Sequence, residues 1–234
     1  KTLTAAMAME EGKFFENEYL SNAPIKVADW TIQNLLWKYH GLSTAQEAFW
    51  RSSNPVFVQL AQRVGVSKFY EYVRGFGFAT ITGIDLPGEA IGIFHQNPKE
   101  IDMAVLSFGE QSTVTPLTMI SSYCAFANGG YLMKPRMVSS ITDSSGNVIR
   151  EIFPETVRQI VSEQTAGRIR DLLKGVVTYG TGSNAYIPGY SFGGKTSTST
   201  REDGMTDISF LGIAPIEQAQ FVILTVLFAP DKEF

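Results

Sequence analysis

The sequence predicts an α+β fold: an antiparallel sheet flanked by helices, with a mostly helical subdomain. Two observations support this fold class. Several segments between residues 2 and 179 repeat apolar side chains at helical spacing. After residue 191 the repeat changes to a period of two, and three consecutive segments separated by turn residues alternate as strands do. Helices in the middle of the chain followed by an antiparallel meander are typical of α+β proteins.

The helices are predicted where apolar repeats lie between capping residues, glycines and prolines: residues 2–11, 44–51, 56–64, 67–75, 116–127 and 162–179. Ser43 is the predicted N-cap of the second helix, and Gln46 completes its capping box. Pro55 predicts a break at Asn54, because the residue before a proline avoids the helical conformation.

The other segments are predicted to be loops and strands. Residues 13–42 are expected to be loops, with 27–32 as one extended piece, and residues 77–115 are expected to be rich in loops. A small β-excursion is predicted over 131–153, and the main strands over 192–199, 207–214 and 219–228. The last strand is apolar on both faces, so we expect both sides of the sheet to be covered. The predicted helical subdomain spans about residues 13–160, and the sheet spans about 192–228.

Composition excludes several classes of protein. The chain has 234 residues, of which 44% are hydrophobic and 18% charged, which is a globular composition able to bury a core. Its net charge of −4 argues against a nucleic-acid partner. Cys124 is the only cysteine, so an internal disulfide or a zinc finger is excluded, and we expect no metal or cofactor. The longest apolar stretch, residues 221–229, is too short to span a bilayer.

Three segments carry residue types suited to acyl transfer. Lys195, Thr196, Ser197 and Thr198 follow two glycines at the start of a strand, where a lysine and hydroxyls suit an anionic or peptide-like ligand. The alternative is a strand rich in threonine and serine with one exposed lysine. Each short motif is weak evidence by itself.

The other two segments are a helix break and the first residue. Ser52 and Asn54 lie at the break and would point a hydroxyl and an amide into a cleft, although serine and asparagine are also common in plain turns. Lys1 is either a solvated residue or the lysine of a Ser-x-x-Lys motif, in which both residues share one helix face. The chain contains no complete Ser-x-x-Lys, so that serine would lie three positions before Lys1.

The order and spacing of these segments resemble the transpeptidase domain of class B penicillin-binding proteins, in the serine penicillin-recognising acyltransferase family. Further similar segments are Phe108-Gly109 with 114–117, then 127–135, and 180–196, so the resemblance covers nearly the whole chain.

The resemblance implies a serine-type D,D-transpeptidase that cross-links peptidoglycan stem peptides ending in D-Ala-D-Ala and that binds β-lactams. The serine before Lys1 would be the nucleophile, and Lys1 its base, with a pKa lowered by burial and by Lys195. Ser52 would pass a proton to the leaving amine. Asn54 would bond Lys1 and the substrate amide.

The resemblance also assigns the substrate-binding strand. Lys195 would hold the substrate carboxylate with the hydroxyls of Thr196 and Thr198 and would orient Ser52. The backbone N–H of Thr198 would form half of the oxyanion hole. Ser197 stands where the family has glycine, which puts β-lactam affinity and substrate fit in doubt.

The family pattern extends past both ends of this sequence. Two strands before the nucleophile and a helix after the last strand are missing, so we expect a fold that is incomplete at both ends and inactive alone. The exposed sheet edge and apolar face predict aggregation. The resemblance implies a membrane anchor outside this chain, work at the extracytoplasmic face of a bacterial membrane, and a glycosyltransferase or other cell-wall proteins as partners.

Several alternatives stay open. The same fold can serve as an inactive β-lactam or stem-peptide sensor or as a cell-wall scaffold. A serine β-lactamase would need a carboxylate to activate water, and the sequence places none. His40 and His95 have no cysteine or patterned carboxylate near them, which argues against zinc. The aromatic residues Trp30, Trp37, Phe49 and Trp50 line either a groove or, as we prefer, a core or subdomain seam.

Overall fold

The computed structural model describes residues 1–34, 41–95, 97–201 and 204–228. Its helices are α1 Thr2–Glu10, α2 Ala45–Trp50, α3 Asn54–Val64, α4 Val66–Gly75, α5 Glu100–Phe108, α6 Pro116–Ala127 and α7 Glu163–Tyr179, with a 3₁₀ turn at Ser183–Ala185. Its strands are β1 Tyr19–Ser21, β2 Ile25–Val27, β3 Trp30–Ile32, β4 Leu42–Thr44, β5 Tyr131–Met133, β6 Ser140–Thr142, β7 Val148–Glu151, β8 Thr156–Gln159, β9 Gly193–Thr200, β10 Thr206–Ala214 and β11 Phe221–Leu227. The α+β class is confirmed.

The predicted helices are confirmed to within two residues at each end, but one helix was missed. Helix α5 lies in the region predicted to be rich in loops. Its N-cap is Lys99 and not a serine or threonine. The Asp102 carboxylate accepts the Lys99 backbone N–H at 2.7 Å. Gly109 ends the helix in the left-handed conformation, with φ of 99°.

The start of α2 differs from the prediction by one residue. Thr44, not Ser43, is the N-cap, and Glu47, not Gln46, completes the capping box. The Thr44 hydroxyl accepts the Glu47 N–H at 3.1 Å, and the Glu47 carboxylate accepts the Thr44 N–H at 3.0 Å. Ser43 is instead buried in β4, where its hydroxyl accepts the Asn22 amide.

The segment predicted as loops carries four short strands. Strand β1 pairs with β4, and β2 pairs with β3. Residues 27–32 are therefore not one extended piece, because the chain reverses between Val27 and Trp30. Ala28 makes this turn with φ of 50°.

The sheet next to the candidate site is a three-stranded antiparallel meander in the order β11–β10–β9. Its inner face carries Leu211 and Ile213, which join the core beneath α6 and α7. Phe221 and Ile223 on the opposite face are 60% and 59% exposed. The expected cover on both faces is thus found on one face only among the described residues.

The β-excursion predicted over 131–153 is confirmed for β5, β6 and β7, but it ends too early, because β5 pairs with β8 at Thr156–Gln159. Strand β6 pairs with β7. The second pair is exposed along its whole length. Helix α1, in contrast, is buried, because it runs through the core against α3 and α7. This burial places the first residue of the chain beside the other candidate residues.

Candidate active site

Lys1 and Ser52 meet at the centre of the candidate site. The Lys1 ammonium donates a hydrogen bond to the Ser52 hydroxyl at 2.8 Å, although the two residues lie 51 positions apart. Lys1 immediately precedes the buried helix α1, and Ser52 lies in the turn between α2 and α3. The fold therefore brings together two of the residues that the sequence singled out.

The turn that carries Ser52 has an unusual backbone. Ser52 adopts φ of 63°, a left-handed conformation that side chains other than glycine seldom take. Its N–H donates to the Phe49 carbonyl at 3.1 Å, and the Ser53 N–H donates to the Ala48 carbonyl at 2.9 Å. The helix break thus lies at Ser52, and Asn54 begins α3 instead of forming the break. Such conformations persist where the surrounding structure holds them, and they are frequent at functional sites.

The two lysines of the site are close enough to affect each other. Burial, and next the positive charge of Lys195, lower the pKa of Lys1 to about 7, while Glu110 opposes this shift. Burial lowers the pKa of Lys195 to about 8. Lys195 is only 7% exposed, and its ammonium donates a long hydrogen bond, 3.4 Å, to the Thr196 carbonyl. Near neutral pH the site can therefore hold one neutral and one charged lysine.

Asn54 is near the site but makes different contacts from those expected. Its side-chain amide donates to the Gln33 carbonyl at 3.1 Å, and its backbone N–H donates to the Asn34 side chain at 2.8 Å. The expected bond between Asn54 and Lys1 would use the carboxamide oxygen, because a lysine ammonium only donates, and it stays a prediction. Gln33 and Asn34 thus hold the backbone N–H and one side-chain N–H of Asn54, and they leave its carboxamide oxygen able to accept from another partner.

Strand β9 is an edge of its sheet and carries the remaining candidate residues. Lys195 is buried, Thr196 is half-buried, and Ser197 and Thr198 are exposed. Ser197 lies opposite Ser209 of β10 in the register. An edge strand has backbone donors and acceptors that are free to pair with an extended peptide.

Sequence reasoning missed Thr181 as a site residue. Its hydroxyl lies 2.9 Å from the Thr196 hydroxyl, and its N–H donates to the Trp50 carbonyl at 3.0 Å. Thr181 thus joins β9 to the end of α2. The sequence held a partial signal, because Gly180-Thr181-Gly182 belongs to the segments that carry the resemblance.

The aromatic residues divide between core and surface. Phe49 is fully buried in the core, and the Trp50 ring packs against that core and on Tyr179 of α7, with centroids 5.1 Å apart, so both agree with the core packing that we preferred. Trp30 is exposed, so core packing is wrong for this residue. Trp37 lies outside the described residues.

The histidine and metal-ligating side chains of the described residues form no second centre. His95 is exposed, with its Nε2 at 3.6 Å from the Asp102 carboxylate, while His40 lies outside the described residues. Within the described ranges, no three histidine, cysteine, aspartate or glutamate side chains are grouped so that they could hold a metal ion. Across the same ranges, none of the helices is both long enough and apolar enough to cross a membrane.

The fold and this arrangement of residues define a penicillin-binding acyltransferase domain. Residues 1–233 match the family described as "Penicillin binding protein transpeptidase domain", and the chain belongs to this family. It is 33% identical to stage V sporulation protein D of Bacillus subtilis over 98% of this chain and 37% of that protein.

Solved structures agree with this assignment. Penicillin-binding protein 3 of Mycobacterium tuberculosis, in its apo form, superposes with a TM-score of 0.91 at 31% identity, over 98% of this chain and 55% of the other. The same protein complexed with aztreonam gives a TM-score of 0.90, over 99% and 55% of the two chains. The chain thus spans little more than a third of the curated relative and about half of the solved one.

Proposed function

We propose that this chain is the catalytic domain of a peptidoglycan D,D-transpeptidase, which cross-links stem peptides through a serine acyl-enzyme and binds β-lactams. The observation that carries the proposal is the hydrogen bond between Lys1 and Ser52, beside the second buried lysine, Lys195. Acyl transfer needs a base that is neutral near pH 7 and a path for its proton. A lysine with a pKa near 7, bonded to a hydroxyl, meets both needs.

The proposed nucleophile is a serine three positions before Lys1, one helical turn away on the same face. Neutral Lys1 takes the serine proton as the serine oxygen attacks the carbonyl carbon of the penultimate D-Ala. Ser52 then gives its proton to the leaving nitrogen and receives the Lys1 proton in return, the peptide bond breaks, and the terminal D-Ala departs. An amine of a second stem peptide attacks the ester and forms the cross-link, and the proton that the amine loses passes through Ser52 and Lys1 to the freed serine oxygen.

Substrate binding is assigned to β9. Charged Lys195 and the hydroxyls of Thr196 and Thr198 would hold the terminal carboxylate, because a carboxylate only accepts hydrogen bonds. The Thr198 backbone N–H would supply half of the oxyanion hole, and the nucleophile's own N–H the other half. Asn54, whose amide nitrogen is engaged by Gln33, would use its carboxamide oxygen to accept from Lys1 or from the substrate amide. Ser197, exposed on the same strand, would border the bound ligand.

Relatives support both parts of the proposal. One relative is named peptidoglycan D,D-transpeptidase FtsI homolog, and the solved protein 3 of M. tuberculosis carries aztreonam, a β-lactam. A β-lactam presents an acyl group and an anion much as the stem peptide does, so one site can take both.

The remaining parts of the proposal concern the whole protein. We propose a helical subdomain over about 13–160 and a sheet over about 192–228 as its two parts. We also propose an anchor outside this chain, action at the extracytoplasmic face of a bacterial membrane, and a glycosyltransferase or other cell-wall proteins as partners. Relatives named as known or probable peptidoglycan D,D-transpeptidases support this placement, because peptidoglycan is a cell-wall polymer.

Intact-mass analysis tests the proposal. The protein is extended upstream of Lys1, incubated with a penicillin, and weighed against a variant in which the serine three positions before Lys1 is changed to alanine. We expect a stable mass gain of one penicillin that the alanine variant loses. A folded, extended protein that gains no mass and turns over no thioester substrate would contradict the proposal and leave the scaffold or sensor. Rapid loss of the adduct would favour a β-lactamase.

A further inference from the structure

Thr181 occupies a position that links two parts of the site. It follows α7, yet its backbone N–H donates to the carbonyl of Trp50, two residues before Ser52, at 3.0 Å. Its hydroxyl lies 2.9 Å from the Thr196 hydroxyl, one residue after Lys195. One threonine therefore contacts both the segment that leads into Ser52 and the strand assigned to carboxylate binding.

The position of Thr181 is fixed from several sides. The Tyr179 ring packs at a tilt against the Trp50 ring, and Gly180 approaches Trp50 so closely that an added Cβ would lie 2.3 Å from its carbonyl oxygen. On the other side, a Cβ on Gly182 would lie 3.2 Å from Val176. This packing fixes the backbone on both sides of Thr181 independently of the bond to Thr196.

We propose that Thr181 is a positioning residue for recognition of the substrate carboxylate, acting through Thr196. This inference rests on the proposed function and deepens it. Thr181 donates its hydroxyl proton to the Thr196 oxygen, which directs the Thr196 proton toward the carboxylate.

The direction of the bond follows from the chemistry of the ligand. A carboxylate only accepts hydrogen bonds, so the Thr196 hydroxyl must donate its single proton to the ligand. Its oxygen can then only accept, and Thr181 lies within bonding distance to donate. A threonine side chain has few χ1 rotamers, so a fixed neighbour suffices to select one. A chain of hydroxyls ending on a charge is stronger than its separate bonds.

The test compares three variants of the protein extended upstream of Lys1. Thr181→Val removes the hydroxyl but keeps the shape and the backbone bond to Trp50. Thr181→Ser keeps the hydroxyl. Thr178→Val is the matched control, because Thr178 is exposed on α7 and its hydroxyl donates only to the Lys174 carbonyl of its own helix. Thermal unfolding is measured for all three.

Two probes separate positioning from general damage. The first is a thioester substrate whose leaving group ends in a carboxylate, and the second is the same thioester with that carboxylate converted to a carboxamide. We expect Thr181→Val to lower kcat/KM by up to about tenfold on the carboxylate probe, mainly through KM, as for the loss of one hydrogen bond between neutral hydroxyls. The carboxamide probe should change by less than about twofold, Thr181→Ser should stay near wild type, and so should Thr178→Val.

The outcomes distinguish failure of the Thr181 inference from failure of the proposed function. An equal loss on both probes, or wild-type activity of Thr181→Val on the carboxylate probe, overturns the inference while leaving the proposed function intact. A wild-type protein that neither turns over the probes nor is acylated by penicillin overturns the proposed function, and it also overturns the proposed role of Thr181.

Discussion

At the scale of single residues, burial gives two lysines the chemistry that the site needs. Lys1 and Lys195 were predicted as site residues because their order and spacing resemble a known family. The resemblance implied that burial and Lys195 lower the pKa of Lys1, and the fold supplies that burial; burial also lowers the pKa of Lys195. The contact of Asn54 with Gln33 could not be predicted, because a sequence does not show which of several acceptors a side-chain amide will contact.

The two lysine pKa values predict a bell-shaped pH dependence of acylation. The rate should rise as Lys1 loses its proton near pH 7 and fall as Lys195 loses its proton near pH 8. Acylation of the upstream-extended protein by penicillin, followed by intact mass between about pH 6 and about pH 10, measures both limbs. Lys195→Arg should move the alkaline limb upward and keep the acid limb, because arginine stays protonated. A rate that is flat across this range contradicts the assignment.

The buried lysine Lys195 should also destabilise the fold near neutral pH. Its pKa falls from 10.5 to about 8 on folding, so between these values the unfolded chain binds more protons and stability rises with pH. Lys195→Met should therefore raise the free energy of unfolding at pH 7 by about 1–3 kcal/mol. Denaturant unfolding of the 234-residue chain measures this gain, which should shrink as the pH rises above 8.

Lys26→Met is the control, because Lys26 is exposed on β2. Its free energy of unfolding should change by less than about 0.5 kcal/mol. A Lys195→Met variant that is less stable than wild type at pH 7 would contradict this prediction. It would show that contacts other than the Thr196 carbonyl compensate the burial of the ammonium.

At the scale of elements, capped and amphipathic segments were predictable and contacts between elements were not. Helix α7 was predicted from its apolar stripe, and Ser162, where the prediction began the helix, is its N-cap. Helix α5 was missed because a charged N-terminus replaces the usual cap. The packing of α7 on Trp50 has no local sequence signal, because the sequence does not show whether a helical glycine faces solvent or a tryptophan.

Two glycines of α7 test that packing. A Cβ on Gly175 would lie 2.0 Å from the Trp50 ring nitrogen, so Gly175→Ala should lower the free energy of unfolding by about 2–3 kcal/mol despite the better helix propensity of alanine. Gly167→Ala is the matched control, since its nearest neighbour is the end of the Arg170 side chain at 3.9 Å. It should be neutral or gain up to about 1 kcal/mol. Denaturant unfolding compares the two, and equal effects would contradict the role of Trp50.

At the scale of the whole molecule, the site is built from segments that are distant in sequence. Helix α1 passes through the core, the α2–α3 turn lies against it, and β9 closes the third side beneath α7. The resemblance named these segments in the right order, and the α+β class followed from periodicity. How closely Lys1 approaches Ser52 depends on the packing of α1, which no local pattern encodes.

The exposed face of the sheet predicts how the chain behaves in solution. Phe221 and Ile223 lie on one face of β11 and are 60% and 59% exposed, so adjacent copies can bury them against each other. Phe221→Lys combined with Ile223→Lys should reduce self-association of the 234-residue chain at least about fivefold, because each lysine opposes apolar contact and adds like charge.

Static light scattering over a concentration series measures the change, and thermal unfolding checks that the fold persists. Ile91→Lys combined with Ile93→Lys is the control, since these side chains are 55% and 72% exposed outside any helix or strand and the pair undergoes the same gain of charge. If this control suppresses association as strongly as the Phe221 and Ile223 double variant, the added charge is responsible and not the sheet face. If only the Phe221 and Ile223 double variant does so, the outer face of β11 is the surface through which copies of this chain associate.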